Sequence, residues 1–376
     1  MVEIIFYLSV LSVVYSYFGY PVSLYFIGLF VNRKHLKTEY YPFVTLIITA
    51  YNEEKRISDK IKNTLNIDYP KDKIQCIIAS DGSTDLTNSI SEGYHDKGIE
   101  LLAIPNRAGK ESAQKEAIRI AKGEIIVFTD VATSIEPYGI GKIVSNFADP
   151  QIGCVSSEDR LLDREGNPCG EGSYVRYEML LRRLESRVNS LVGLSGSFFA
   201  ARKSVCRDFS ADMQSDFRTL LNSIRMGLRG ISDPEVTGSY LDVSGRSREF
   251  DRKVRTVLRG LTVFFRHTEF LNFFKYGLFS YQYFCHKLLR WLVPLFLITA
   301  FIANLLLAKT SGLYLVLFLG QLFFYCLAIL GWKGKATSVS WIKIPYYFLI
   351  VNISILIAWW KYFRHQRVVM WNPSER

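Results

Sequence analysis

Long stretches without a charged side chain at both ends of the chain constrain its fold more than any other feature. The first covers residues 4–31, and three more follow at residues 291–308, 312–332 and 344–360. About 20 apolar residues span a bilayer, and three such stretches in succession leave too few polar faces for helices of a soluble protein. The pattern therefore predicts membrane-spanning helices on both sides of a polar middle.

Most of the net charge of +11 belongs to these apolar ends. Residues 32–287 contain 37 Lys and Arg against 33 Asp and Glu, so the two ends carry +7. Lys and Arg beside apolar spans mark the cytoplasmic side of a membrane, whereas a nucleic-acid-binding domain concentrates basic charge on itself. We therefore expect a multi-pass protein of the plasma (inner) membrane with a cytoplasmic middle domain, and no nucleic acid partner.

Composition divides the chain into five predicted segments. They are an anchor at 1–31, a globular domain at 40–260, amphipathic interfacial helices at 261–290, about three membrane segments at 291–360 and a basic tail at 361–376. For residues 261–290, an ordinary helix packed on the domain is the alternative. Three crossings place the tail outside the cell, while its basic residues favour the cytoplasm, so the side on which it lies is left open.

The globular segment alternates short apolar runs with helical patterns. The six cysteines form no CxxC pair, and the segment contains neither GxGxxG nor GxxxxGK[ST], which argues against zinc, dinucleotide and P-loop sites. Its β–α alternation predicts a mostly parallel sheet with helices on both faces. The predicted strands are 43–49, 74–79, 99–104 and 125–129, and the predicted helices are 53–65, 85–93 and 110–122.

Polar clusters stand where three of these strands end. Residues 49–53 read TAYNE, residues 80–85 read SDGSTD and residues 129–130 read TD. Each cluster alone is compatible with a simple turn or a helix cap. Because ligands of parallel sheets bind beyond the carboxyl ends of the strands, the three together predict a binding pocket.

The motifs resemble those of family 2 glycosyltransferases. TAYNE is similar to their opening motif, DGSTD to their second and NRAGK at 106–110 to their third. The resemblance covers roughly residues 43–260, and the flanking spans resemble the membrane-bound branch that includes cellulose, hyaluronan and poly-N-acetylglucosamine synthases. It implies an α/β, GT-A type Rossmann-like domain with flanking transmembrane helices. It also implies an inverting transferase that moves a sugar from a UDP-sugar to a saccharide or lipid-linked acceptor in surface polysaccharide synthesis.

The resemblance also implies roles for single residues of the nucleotide-sugar site. Tyr51 and Asp81 would hold the uracil ring, and Lys110 would lie near the diphosphate or the base. Thr49 and Glu53 belong to the same predicted site.

A metal site at Asp130 is implied in the same way. Asp130 would bind Mg²⁺ or Mn²⁺, since these cations prefer carboxylate and phosphate oxygens. The family motif is Asp-x-Asp or Asp-x-Asn, but Ala132 stands here in the second position. One Asp can suffice because Mg²⁺ keeps several waters, and Thr133 would contribute weakly.

Asp216 takes the position of the family's general base, with Ser215 where the family has Glu. Such a base removes the proton from the acceptor hydroxyl. A carboxylate favoured by the first turn of a helix is the alternative reading, and Asp212 is the second candidate for the base.

Acceptor contacts are predicted at two further places. Ser195 and Gly196 fall where the family has a turn of small residues, although a plain tight turn explains them as well. Residues 252–256 read RKVRT, where processive synthases have Gln-x-x-Arg-Trp. Arg255 would hold the leaving diphosphate, and Arg252 would lie on the acceptor side. Thr256 replaces the Trp, so processive polymerisation is left open.

Two alternatives to the synthase reading are kept. One is a transferase that adds a single sugar to a lipid-linked oligosaccharide, and the other is a non-catalytic membrane assembly partner that retains the fold. Besides the donor, the acceptor and the lipid bilayer, the resemblance implies polysaccharide export or assembly proteins as partners.

Overall fold

The computed structural model describes residues 1–162, 173–241, 246–332 and 340–366. The chain divides into two units, one containing Leu24–Ser244 and the other containing Met1–Ser23 and Gly245–Arg367. Residues 367–376 of the predicted tail lie outside the described residues. The helices are α1 Val2–Val14, α2 Tyr20–Phe30, α3 Ile57–Leu65, α4 Thr87–Glu92, α5 Lys110–Ile120, α6 Gly139–Ser145, α7 Ser173–Val188, α8 Ser215–Arg225, α9 Arg246–Arg266, α10 Phe273–Tyr276, α11 Leu278–Tyr283, α12 Arg290–Leu307, α13 Gly312–Trp332 and α14 Ser340–Phe363.

An eight-stranded sheet forms the centre of the unit that contains Leu24–Ser244. Its strand order is β3-β2-β1-β4-β7-β6-β8-β5. The first four strands in this order, β3, β2, β1 and β4, are parallel, as the sequence pattern predicts. Strand β7 then pairs antiparallel with β4. The α/β class is confirmed, with a parallel half and a mixed half. The strands are β1 Val44–Ala50, β2 Ile74–Asp81, β3 Ile99–Ile104, β4 Ile125–Asp130, β5 Ser134–Ile135, β6 Ile152–Leu162, β7 Phe198–Arg202 and β8 Arg229–Leu241.

Both faces of the parallel half are covered, which explains why nearly all residues of β1, β2 and β4 are buried. All seven residues of β1 are buried. Leu46 and Ile48 belong to one apolar cluster together with Ile57 and Ile61 of α3. Ile47 belongs to a second cluster with alanines of α5. Strands buried on both faces read as continuous apolar runs rather than alternating ones.

Helix α3 begins at Ile57, four residues later than the pattern predicts. The intervening residues form a loop at the end of β1, in which Asn52 has a φ of 50°. This left-handed backbone is incompatible with a right-handed helix. The loop therefore keeps the polar motif at the edge of the sheet.

Four helical segments of the described chain are long and apolar enough to cross a membrane. They are Val2–Phe30, Leu278–Leu307, Gly312–Trp332 and Trp341–Phe363. The second begins within the region predicted to be interfacial, because α11 continues through the π-helical turn Phe284–Leu289 into α12. These segments give the chain the character of a membrane-associated protein.

Apolar packing and a hydrogen bond to the backbone connect the helices of the unit that contains Met1–Ser23 and Gly245–Arg367. Phe6 of α1 packs with Ala300 and Ala303 of α12. The indole N–H of Trp359 on α14 donates to the carbonyl of Trp291 on α12 at 2.8 Å. Small residues such as Ala300 and Ala303 allow helices to approach closely in a bilayer.

Candidate active site

The polar strand ends come together at one edge of the parallel sheet. Thr49 of β1 lies opposite Asp130 of β4, and Ala50 lies opposite Ser80 of β2. The three polar clusters are therefore neighbours, as the strand order requires. This edge is the candidate active site.

Hydrogen bonds lock the loop after β1 to the loop after β2. The Asn52 side-chain oxygen accepts from the Thr84 backbone N–H at 2.9 Å, and the Glu53 N–H donates to Thr87 Oγ1 at 2.7 Å. The Glu54 N–H donates to Asp85 at 3.0 Å, and hydrogen bonds from the Thr87 hydroxyl and from this N–H hold the pKa of Asp85 below its usual value. The two motifs thus form one connected polar surface.

Asp81 is fully buried and supports the neighbouring loop. Its two oxygens accept the backbone N–H groups of Ala108 and Gly109, each at 2.8 Å. Both oxygens thus hold the loop before α5, and the predicted contact of Asp81 with the uracil ring stays a prediction. Gly109, with a φ of 102°, turns this loop into Lys110.

Lys110 connects three segments of the site. Its ammonium donates to Asp130 Oδ1 at 2.5 Å and to the carbonyl oxygen of Gly196 at 2.9 Å. The Lys110 side chain is 9% exposed and that of Asp130 is 22% exposed. An ammonium in this position can bind phosphate oxygens as well as the carboxylate.

Asp216 lies in the first turn of α8 and is 8% exposed. Its Oδ1 accepts the Phe217 N–H at 2.8 Å, and its Oδ2 accepts from the Gln214 amide at 3.1 Å. A methyl group built on Gly196 would lie 3.0 Å from Oδ2. Gly196 therefore separates the Asp216 carboxylate from the Lys110–Asp130 pair, and its lack of a side chain leaves room beside the carboxylate.

The serines on either side of Gly196 are oriented by a carboxylate that the motifs did not indicate. The Ser195 and Ser197 hydroxyls donate to Asp159 at 2.6 and 2.7 Å. Asp159 also lines a cavity of about 440 Å³ with Arg176 and Arg183. Asp159 was missed because it lies within the long strand β6 and belongs to no motif.

The remaining predicted donor residues differ in their surroundings. The Arg107 guanidinium lies 3.7 Å from the ring centroid of Tyr51. The Thr49 hydroxyl is buried and has no hydrogen-bond partner among the described residues. The Glu53 carboxylate accepts from Arg56 at 2.7 and 2.8 Å, and burial raises the pKa of Glu53.

Arg252 and Arg255 belong to the other unit, on α9. Burial lowers the pKa of Arg255, and the neighbouring Arg259 and Arg252 lower it further. Their predicted contacts with diphosphate and acceptor stay predictions.

The metal motif supplies one carboxylate, that of Asp130, for a divalent cation at this edge. Asp130 Oδ2 has no hydrogen-bond partner in the part of the chain that the structure describes, and position 132 offers only the methyl group of Ala132. In the same part, no group of three or more His, Cys, Asp or Glu side chains is suited to a metal. The residues fit a cation that takes its other ligands from phosphates and water.

Lys60 is a second residue that the motifs did not indicate. It is 3% exposed on α3, and its ammonium donates to Thr129 Oγ1 and to the carbonyl of Thr133. The signal in the sequence is a lysine at an otherwise apolar helical spacing, between Ile57 and Ile61.

Comparisons with known proteins agree with the motifs. Residues 45–209 match the family described as Glycosyl transferase family 2. A poly-beta-1,6-N-acetyl-D-glucosamine synthase from Staphylococcus aureus (strain COL) is 25% identical over 170 residues, which are 44% of this chain and 40% of the relative. The probable glycosyltransferase YdaM of Bacillus subtilis (strain 168) is 30% identical over 128 residues, which are 32% of this chain and 30% of that protein. The match thus spans less than half the length of these relatives.

A solved structure shares the fold over nearly the whole chain. It is the mannosyltransferase PcManGT from Pyrobaculum calidifontis, determined in complex with GDP-Man and Mn²⁺. The two chains are 21% identical with a TM-score of 0.73, and the match covers 98% of this chain and 100% of the other. The chain is thus similar to family 2 glycosyltransferases over residues 45–209, and it shares its fold with this mannosyltransferase over nearly its whole length.

Proposed function

We propose that the chain transfers a sugar, with inversion, from a UDP-sugar to a hydroxyl group of a saccharide or lipid-linked acceptor at the plasma membrane. The observation that carries this proposal is the arrangement around Gly196. The Lys110 ammonium, which is paired with Asp130, donates to the Gly196 carbonyl oxygen, and the Asp216 carboxylate lies beside the Gly196 α-carbon. A donor diphosphate and an acceptor hydroxyl would thus meet across one glycine.

The donor side is built from charges that suit a diphosphate. Lys110 offers an ammonium to its oxygens, and the Tyr51 ring offers a face to the base. Mg²⁺ or Mn²⁺ held by Asp130 would offset the charge that develops on the departing UDP. Arg255 is proposed as a further diphosphate contact.

Asp216 would remove the proton from the acceptor hydroxyl. The acceptor oxygen then forms its bond to the anomeric carbon as the bond from that carbon to the diphosphate oxygen breaks. UDP leaves with the bonding electrons, the proton resides on Asp216, and the anomeric configuration is inverted. A well-placed base contributes on the order of 10²–10⁴-fold. Ser195, whose hydroxyl donates to Asp159, and the neighbouring Gly196 would line the acceptor side.

UDP release by the purified full-length protein tests the proposal, with a panel of UDP-sugars and with GDP-mannose as donors. We expect release with one UDP-sugar and a loss of about 10²–10⁴-fold in Asp216→Asn, while UDP binding is retained. The matched control is Asp212→Asn, since Asp212 is an exposed acid four residues earlier. A loss in Asp212→Asn with full activity in Asp216→Asn would overturn the assignment of the base. Release from GDP-mannose alone would overturn the UDP assignment.

Surface polysaccharide synthesis is proposed from the resemblance to the synthase branch. Its alternative, a single addition to a lipid-linked oligosaccharide, is favoured by Thr256 in place of the Trp of processive synthases. The length of radiolabelled product made in membranes decides between them. A ladder of products supports a polymerase, and one added sugar supports single addition.

The non-catalytic alternative predicts a different result. A membrane assembly partner would bind UDP without Asp216-dependent release from any donor. Ala132 and Ser215 favour this reading, while Asp130 and Asp216 oppose it. Export or assembly proteins remain proposed partners in either case.

A further inference from the structure

Lys60 is a buried amine close to the donor edge of the sheet. It lies on α3 among Ile57, Ile61 and Thr64, which are all buried. Among the described residues it forms no ion pair within 4.0 Å. A lysine is almost never buried without hydrogen-bond partners, so its position calls for an explanation.

The two acceptors of Lys60 lie on either side of the turn that carries Asp130. The ammonium donates to the Thr133 carbonyl at 2.5 Å and to Thr129 Oγ1 at 3.1 Å. The turn is closed by the Thr133 N–H, which donates to the Asp130 carbonyl at 3.1 Å. The Asp130 N–H donates to the Ser197 carbonyl at 3.2 Å. Lys60 thus holds both ends of the segment from which the Asp130 side chain projects.

This support coincides with a missing ligand. The family motif has a second metal-binding side chain at the position of Ala132. In a site with two carboxylates, a shared cation draws both ends of such a turn together. Here Asp130 is the sole carboxylate of the motif, so hydrogen bonds within the protein, rather than a cation shared with a second carboxylate, have to hold it in position.

We infer that Lys60 is a positioning residue of the donor site, which holds the 129–133 turn so that Asp130 meets Lys110 and the donor diphosphate. The inference rests on the proposed donor site. It assigns Lys60 no contact with the donor. Its hydrogen bonds replace, within the protein, the constraint that a cation between two carboxylates would supply.

The test compares three variants of the full-length protein in detergent: two in which a lysine is replaced by methionine and one in which a threonine is replaced by valine. Lys60→Met keeps a long unbranched side chain and removes both hydrogen bonds of Lys60, and Thr129→Val removes one of them. Lys62→Met is the matched control, because Lys62 lies on the same helix with its side chain 66% exposed. Calorimetric binding of UDP with Mg²⁺, KM for the donor, kcat and the melting temperature are measured for each.

We expect UDP binding about 10-fold weaker in Lys60→Met and severalfold weaker in Thr129→Val, as one to two lost hydrogen bonds imply. KM should rise by a similar factor with a smaller change in kcat, and Lys62→Met should match the wild type. A variant that melts earlier but binds UDP and donor as the wild type does would show a purely structural lysine and overturn the inference.

A second carboxylate provides a rescue experiment. In Lys60→Met/Ala132→Asp, we expect Mn²⁺, followed by its electron paramagnetic resonance signal, to bind more tightly than in Lys60→Met, and UDP binding to recover only when Mn²⁺ is present. Recovery in the absence of Mn²⁺, or none in its presence, would overturn the inference. If the wild type binds neither UDP nor GDP, the proposed function fails first, and the role of Lys60 fails with it.

Discussion

Charged side chains with little exposure to solvent form the candidate site, and each is held by specific hydrogen bonds. Asp81 accepts two backbone N–H groups, Lys110 connects Asp130 to Gly196, and Lys60 supports the Asp130 turn. Such contacts are stronger than those between exposed groups, because solvent screens them less. These hydrogen bonds fix the charged groups of the site relative to one another.

The pH dependence of stability gives a prediction for Lys60. Burial lowers the pKa of Lys60 from 10.5 to about 7, against the opposing effect of Asp130 and, more weakly, Cys76. The unfolded chain therefore binds more protons than the folded chain between these two values, and stability contributed by this group rises with pH across that window. We expect the melting temperature of the wild type to increase relative to Lys60→Met from about pH 7 to about pH 10.5.

The melting temperatures of wild type, Lys60→Met and Lys62→Met, measured at a series of pH values, check this. The exposed Lys62 control should differ from the wild type by a constant amount. A constant difference for Lys60→Met as well would show that the Lys60 pKa is not lowered by folding.

Loops at the ends of strands, rather than the strands themselves, determine the shape of the site at the scale of elements. The loop after β2 approaches the loop before α5 so closely that only glycine fits at position 82. Gly82 has a φ of 67°, and a methyl group there would lie 2.6 Å from the Arg107 backbone nitrogen. Asp81, next in the chain, accepts hydrogen bonds from the same loop before α5.

A pair of glycine substitutions separates close packing from backbone strain. Gly98 has a φ of 85°, but a methyl group there would have no neighbour within 4 Å. We expect Gly98→Ala to cost about 1–2 kcal/mol from the left-handed backbone alone. Gly82→Ala should cost more and should also weaken UDP binding, because the Arg107 backbone has to move. Chemical denaturation and UDP titration of both variants measure the difference, and equal losses would contradict the close approach.

Apolar surface governs the behaviour of the whole molecule. The four candidate spans expose large side chains along their length, such as Phe18, Val316 and Phe323. In water these side chains would favour aggregation, whereas in a bilayer they meet lipid. The net charge of +11 adds attraction to anionic lipid, but that attraction is screened by salt.

Membrane extraction distinguishes these two contributions. We expect the full-length protein to stay in the membrane pellet after washing with concentrated salt and with alkaline carbonate, and to be released only by detergent. A peripheral protein of similar net charge is the control and should be released by salt. Release of this chain by carbonate would contradict insertion of the apolar helices.

Much of the parallel half of the fold could be predicted from the sequence. The four strands β1 to β4 and the polar residues at their ends follow from apolar runs bounded by turn residues. The mixed half could not, because β7 inserts between β4 and β6 and leaves no local signal of its partners. Likewise, Asp216 and Gly196 could be predicted because they belong to sequence motifs, whereas Asp159 within β6 belongs to none and was not predicted.

Local periodicity and composition determined the elements, the polar edge of the sheet and the apolar spans, since each depends on residues within one or two turns of the chain. The tertiary structure alone decided which groups meet. Lys60 reaches Thr129 across 69 positions, and Lys110 reaches Gly196 across 86. It also decided that Asp81 turns inward to a loop. Such pairings depend on how every intervening element packs. The apolar ends alone indicate a membrane-associated protein, whereas the chemistry of its site depends on contacts between segments that are far apart in the sequence.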